Sequence, residues 1–292
     1  MGRHFNLRAY AVLGALVVAL FGCVACGGPA PDAKPAEEAA QVETHVEEAR
    51  PDEARPDEAR PKEAAKPTEP SASDPAPVDP SSFAPTDVIS TKEIERAGGP
   101  DAFFRVEEIS DAVFARMEGK SYGPDCTVPL DDLRYVRTLY VDAEGVTHAG
   151  ELVVNAAVAE EVRDIFRELY DNKFPIRKMR LVDDYGGSDE DSCSDGNTSA
   201  FNYRNVPGTY VISNHSFGLA IDVNTFENPY YIPEQEHLWP PEAVAYLDRT
   251  LDDPYMIHPG DVCYEAFVSR GWQWGGEWPT PKDYQHFEKP GA

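Results

Sequence analysis

Basic side chains are scarce in this chain: 26 Lys and Arg stand against 52 Asp and Glu, a formal net charge of -26. Nucleic acid and anionic membrane surfaces repel such a chain, so neither is expected as a partner. Beyond the first two dozen residues no apolar run is long enough to span a bilayer, which takes roughly 20 residues. Cysteines are few, five in all, and the three beyond the leader region, Cys126, Cys193 and Cys263, lack CxxC spacing. A cysteine-based zinc cluster is thereby excluded. Between Gly27 and about Ser82 aliphatic residues are nearly missing, and with them any means of building a core.

What is present begins with a leader. Arg3 and Arg8 precede an apolar stretch, Tyr10 to Gly22, of signal-peptide length. It ends in Leu20-Phe21-Gly22-Cys23, which resembles a bacterial lipobox, with Cys23 as the lipidated residue and Cys26 as the alternative. A lipidated cysteine anchors a protein without spanning the membrane. Next comes EARPDEARPDEARPKEA, in which proline recurs every fifth residue and breaks any helix. This reads as a charged, extended spacer that reaches about 170 Å when fully stretched, at about 3.1 Å per residue. The expected organisation is a leader over 1–22, a tether over 23–82 and one folded domain over 83–292.

Within that domain the pattern is α+β. Helical spacing of apolar residues runs through 94–117 and again through 156–170. Leu133 to Tyr140 and Val146 to Val154 alternate as paired strands around Asp142-Ala143-Glu144-Gly145. Short strands are predicted over 179–182, 210–212 and 219–223, and helices over 240–251 and 262–270. Cys126, Cys193 and Cys263 remain in this part, with a Cys126–Cys193 disulfide as the expected pairing.

Three segments carry chemistry. In Ser213-Asn214-His215-Ser216-Phe217-Gly218-Leu219-Ala220-Ile221-Asp222 the His and Asp are seven apart, so an unbroken strand would face them oppositely. A tight turn at Gly218 can bring both to one ion, and the small Ala220 leaves room beside the carboxylate. In Asp283-Tyr284-Gln285-His286 a helical turn would put Asp283 and His286 on one side, the acid to take a proton and the imidazole to bind metal. Asn197 to Arg204 offers amides, hydroxyls and a guanidinium with no obvious acidic neighbour, suited to a carboxylate or an oxyanion. Glu277 and Glu288 are rival carboxylates, but neither spacing from His286 gives a shared helical face. His148, His237 and His258 read as strand or surface residues.

Together these segments resemble the D-alanyl-D-alanine carboxypeptidase-like zinc peptidases, whose pattern SxHxxGxAxD stands here as Ser213, His215, Gly218, Ala220 and Asp222, followed by the acidic-x-x-His of Asp283 and His286. The likeness runs from about Ser121 to Glu288. It implies a small central antiparallel sheet flanked by helices, hedgehog-like, with one zinc ion on the sheet held by His215, Asp222 and His286. It also implies Asp283 as general base and Arg204 as substrate or oxyanion clamp. Ser213, Asn202 and Trp274 are the further substrate-binding candidates, with Trp272 and Trp278 as possible cleft walls. The substrate class implied is the D-amino-acid-containing stem peptide of peptidoglycan, met by a monomer anchored by lipid on the periplasmic side of the cell envelope, in the outer membrane. Two other readings are a non-catalytic, metal-containing wall-binding lipoprotein and a thiol enzyme using Cys193 or Cys263.

Overall fold

A computed structural model describes residues 76–291. The leader, both candidate lipidation cysteines and most of the spacer lie outside the described residues. Residues 76–82, assigned to the spacer by composition, already make folded contacts: the Arg96 guanidinium donates to Ala76 O, Val78 N–H to Arg96 O, and Pro80 is buried.

The long segment 94–117 is divided. Helix α1 (Thr91–Arg96) starts at a Ser90–Glu93 capping box, strand β1 spans Arg105–Glu107, and α2 (Asp111–Met117) is capped by Ser110. The apolar run is broken inside by β1 and by the Ser110 cap, whose oxygen accepts from a first-turn N–H and starts a new helix, which is why helical spacing alone misled. Strands β2 (Leu133–Val141) and β3 (Thr147–Asn155) form the predicted hairpin, with β1 on the free edge of β2. Helix α3 (Ala159–Asp171) lays Val162, Ile165, Phe166 and Leu169, all buried, against this sheet. Burying each contributes about 1.5–3 kcal/mol. A second cluster, including Met117, Leu133, Tyr135 and Phe201, covers the other side of β2 and β3. The buried Glu151 there accepts from Arg116 and, at 2.6 Å, from the Tyr135 hydroxyl, so its charge is matched.

Further along come β4 (Lys178–Met179), α4 (Asp189–Ser194) and β5 (Asn197–Thr198), then β6 (Ala220–Asp222), β7 (Tyr230–Ile232) and β8 (His237–Trp239). Helix α5 (Val262–Val268), β9 (Gln273–Trp274), β10 (Lys282–Asp283) and β11 (His286–Glu288) close the fold. Two small antiparallel sheets, β6-β11-β9 and β10-β7-β8, carry the chemical segments. The architecture is mixed helix and small antiparallel sheets, as α+β patterning predicts.

Three local expectations change. Val182 lies in a 3-10 turn rather than in a strand with Met179. Tyr210–Ile212 is the far side of a Pro207-Gly208 turn, closed by Val206 N–H to Val211 O, with Tyr210 fully exposed, so its apolar residues have no sheet to join. Residues 241–247 form a kinked 3-10 segment rather than an α-helix. Cys126, Cys193 and Cys263 are all free thiols, so the expected disulfide is not formed.

Candidate metal centre

The site is built on one register. In the β6–β11 pair Asp222 lies opposite His286, Ile221 opposite Phe287, and Ala220 opposite Glu288. Alternation sends Ile221 and Phe287 into the core, both fully buried, and turns Asp222, His286 and Glu288 to the other face. His215 joins them from the 3-10 turn Asn214–Phe217, which ends at Gly218 in the left-handed conformation. A side chain at Gly218 would sit 2.5 Å from Asn155 N on β3, so only glycine lets the turn lie this close to the central sheet.

The His215, Asp222 and His286 donor atoms lie within 4.8 Å of one another, all three residues being buried. His215 Nε2 is 3.1 Å from Asp222 Oδ2, and His286 Nδ1 is 3.0 Å from Asp222 Oδ1. The outer nitrogens are held as well. His215 Nδ1 is 2.7 Å from Ala200 O, to which it donates, and this leaves the Nε2 lone pair facing inward. His286 Nε2 is 3.3 Å from Glu288 Oε2, and that carboxylate also accepts from Asn214 Nδ2 at 2.7 Å. Such outer partners fix the ring orientation of metal-ligating histidines.

Charge reinforces the grouping. Burial pushes the Asp222 carboxyl upward, but His215 and His286 outweigh it and hold the acid far below the usual carboxylate range. Burial acts against a charge on His286, yet hydrogen bonds to Asp222 and Glu288 carry its pKa up to about 10. Two imidazoles and a carboxylate converge, each outer nitrogen already satisfied, so the residues fit a divalent ion.

Asp283 reaches the site by a different route from the expected helical turn. It ends β10, while His286 begins β11, and β10 pairs with β7 so that Asp283 lies opposite Tyr230. The two residues therefore sit on strands of different sheets, joined by the bend at Tyr284-Gln285. Asp283 Oδ1 is buried with no hydrogen-bond partner among the described residues, and the side chain lines the cavity that the metal cluster faces. Burial pushes its carboxyl up to about 7. Gly275 sets its depth: a Cβ there would lie 2.6 Å from Asp283 O and 2.8 Å from Asp283 Cβ. Gly275→Ala is accordingly expected to keep metal but lower turnover roughly 10²-fold, since a displacement near 1 Å costs that much. Metal analysis beside steady-state kinetics checks the split.

The cavity, about 720 Å³, is walled by Arg204, Ser213, Tyr230, His237, Trp239 and Trp278 among others. Arg204 does have an acidic neighbour: its guanidinium is 2.8 Å from Asp189, which sequence distance had hidden. Ser213 lines the cavity and caps the His215 turn through its Oγ. Asn202 is buried and binds His215 O through its backbone N–H. The segment around it thus serves largely as backbone: Ser199 brackets Asp222 with two main-chain hydrogen bonds, and Ala200 O orients His215. Trp274 and Trp272 do not wall the cleft. Both are core residues, Trp274 stacked near Phe287 and donating to Tyr284 O, because β9 turns them to the apolar side of β11.

Glu288, set aside on helical spacing, is a neighbour of His286 because residues two apart share a strand face. His237, read as a surface residue, is exposed but lines the cavity mouth. Glu277 instead accepts from the Tyr264 hydroxyl. Cys193 and Cys263 are buried, and burial pushes both thiols well up, which removes them as nucleophiles.

Residues 207–289 match a family model described as D-alanyl-D-alanine carboxypeptidase, and this bears out the resemblance read from the motifs. The matched span holds all three cluster residues and Asp283, and it leaves Arg204 and residues 121–206 outside. It supports a peptidase of the D-alanyl-D-alanine carboxypeptidase type, in a family whose members are typically metal-dependent. No curated protein and no solved structure matches the chain.

Proposed function

We propose, starting from the family match over residues 207–289, that this chain is a zinc-dependent hydrolase of peptide bonds in the D-amino-acid-containing stem peptides of peptidoglycan. The observation that carries the reading is the buried His215–Asp222–His286 group in one cavity with Asp283, whose buried Oδ1 has no partner among the described residues. A metal site serving structure alone has no use for that orphan acid, which is why a merely wall-binding protein is the weaker account. Nitrogen and carboxylate donors in a three-ligand set suit zinc. When bound there, zinc supplies Lewis acidity, polarising the scissile carbonyl and lowering the pKa of water to roughly 7. The small antiparallel sheet carrying these residues belongs, in this reading, to the hedgehog-like peptidase architecture.

The residues of the chain divide the remaining work. Asp283 takes a proton from the attacking water as the oxygen–carbon bond forms, then hands it to the leaving nitrogen as the carbon–nitrogen bond breaks. Arg204 supplies positive charge at the cavity wall for a substrate carboxylate, with Asp189 holding the guanidinium in place. Glu288 and Ala200 O keep the two imidazoles oriented. The leader and spacer suggest that the domain works outside the membrane, lipid-anchored through Cys23 or Cys26, in the outer membrane and facing the periplasm.

Purified muropeptides incubated with the domain, with and without a zinc chelator, test this by mass spectrometry. Cleavage that stops on chelation and returns with zinc is expected. No product from any stem peptide, with metal bound, leaves the wall-binding account standing.

A further inference from the structure

Beyond Asp283 and Arg204, one more polar group faces the reacting space. Tyr230 is the direct cross-strand partner of Asp283 in the β7–β10 pair, so the two side chains leave the ribbon on the same face. Both line the cavity onto which His215, Asp222 and His286 open. The Tyr230 ring is half-buried and packs edge-on against His237, at 6.3 Å between ring centres, which limits its swing. Its hydroxyl makes no hydrogen bond among the described residues. A phenol placed at a cavity wall without an internal partner is a donor available to a ligand. Burial, helped by the Asp283 charge, pushes its pKa up, so the proton stays on oxygen across the neutral range.

Resting on the peptidase reading, the geometry points to Tyr230 as a catalytic residue that donates its O–H to the oxygen of the scissile carbonyl as that oxygen gains negative charge. Asp283 and Tyr230 then form a complementary pair on one two-stranded ribbon, an acceptor for the proton of water and a donor to the developing oxyanion. No proton leaves Tyr230 in this step. The phenol strengthens an existing hydrogen bond as charge builds on the carbonyl oxygen, and the bond weakens again when the tetrahedral carbon expels the amine. The register makes the pairing strict, because a slip of one residue in β7 would turn the phenol to the opposite face.

Tyr230→Phe in the zinc-loaded protein removes the hydroxyl and keeps the ring against His237. Loss of one oxyanion donor lowers kcat by roughly 10²–10³-fold, with KM and bound zinc unchanged. A phosphinate analogue of the scissile dipeptide, whose tetrahedral oxygens mimic the charged state, should lose affinity by a similar factor, while the product peptide binds as before. Tyr230→Phe with kcat within twofold of the parent protein, or unaltered phosphinate affinity, overturns the assignment and leaves the peptidase reading intact. A parent protein that cleaves no stem peptide overturns both.

Discussion

Asp283→Asn is expected to bind zinc like the parent protein and to lose kcat by roughly 10²–10⁴-fold, the range of a general base. The substitution keeps shape and removes proton affinity. Asp283 is not one of the three clustered donors, so metal content should stay near one ion per chain. Retained activity on a defined muropeptide would remove the residue from the chemistry. The pH dependence has a definite sign. In the metal-free protein burial dominates and lifts the carboxyl from its ordinary 3.8 to about 7, with His286 and Arg204 opposing and Asp222 assisting. A bound dication pulls it down again, so the acid limb of kcat/KM should fall below pH 7, and activity should rise with pH along it.

The same carboxyl has a stability signature. A folded-state pKa above the unfolded value means the folded state holds the extra proton. Its contribution is present below about pH 4 and is lost as pH rises toward 7. With metal chelated, Asp283→Asn should therefore melt above the parent protein at pH 8, and the two should converge near pH 4. Equal melting temperatures at pH 8 would show that the acid is better solvated than its burial indicates. Activity and stability move in opposite directions here, as expected where a reactive group sits in an unfavourable environment.

His215→Ala is the second large effect: bound zinc should fall to background, and hydrolysis to the level of chelator-treated parent protein. It removes one of three donors and also strips Asp222 of an imidazole partner at 3.1 Å. Truncating this buried ring also leaves a cavity, so the variant should melt lower as well. Zinc-dependent stabilisation separates the two consequences. At about a thousand times its dissociation constant, zinc should stabilise the parent protein by about 4 kcal/mol. In the variant the melting temperature should not respond. A variant whose melting temperature still rises with zinc would place the ion elsewhere. Metal affinity in the parent protein should grow with pH, because the raised pKa of His286 means a proton has to leave its Nδ1 before the ring can coordinate.

Much of the fold was legible because local periodicity encodes which face is buried. The 133–141 and 147–155 hairpin and the 159–171 helix follow directly from alternation and from a 3.6-residue stripe. The 94–117 segment did not follow, since a short strand and the Ser110 cap interrupt a run whose apolar spacing continues through them. Likewise Tyr210–Ile212 has strand-forming residues but pairs only through an isolated bridge of Ile212 to Asn205.

At the site, the motif picked out His215, Asp222, Asp283 and His286, because few side-chain types bind a divalent ion or accept a proton, and their order along the chain is a property of sequence. Their arrangement was another matter. Asp222 faces His286 from 64 residues away, and whether Asp283 stands on a helix or a strand depends on β7 lying beside it. Pairing of that kind also decided that Glu288 supports a ring, that Trp274 is core, and that Ser199 and Ala200 act through their backbone. Chemical identity is carried residue by residue. Which groups share a face, how deeply they are buried and what charge they carry depend on contacts between distant segments, and those exist only once the sheets have formed.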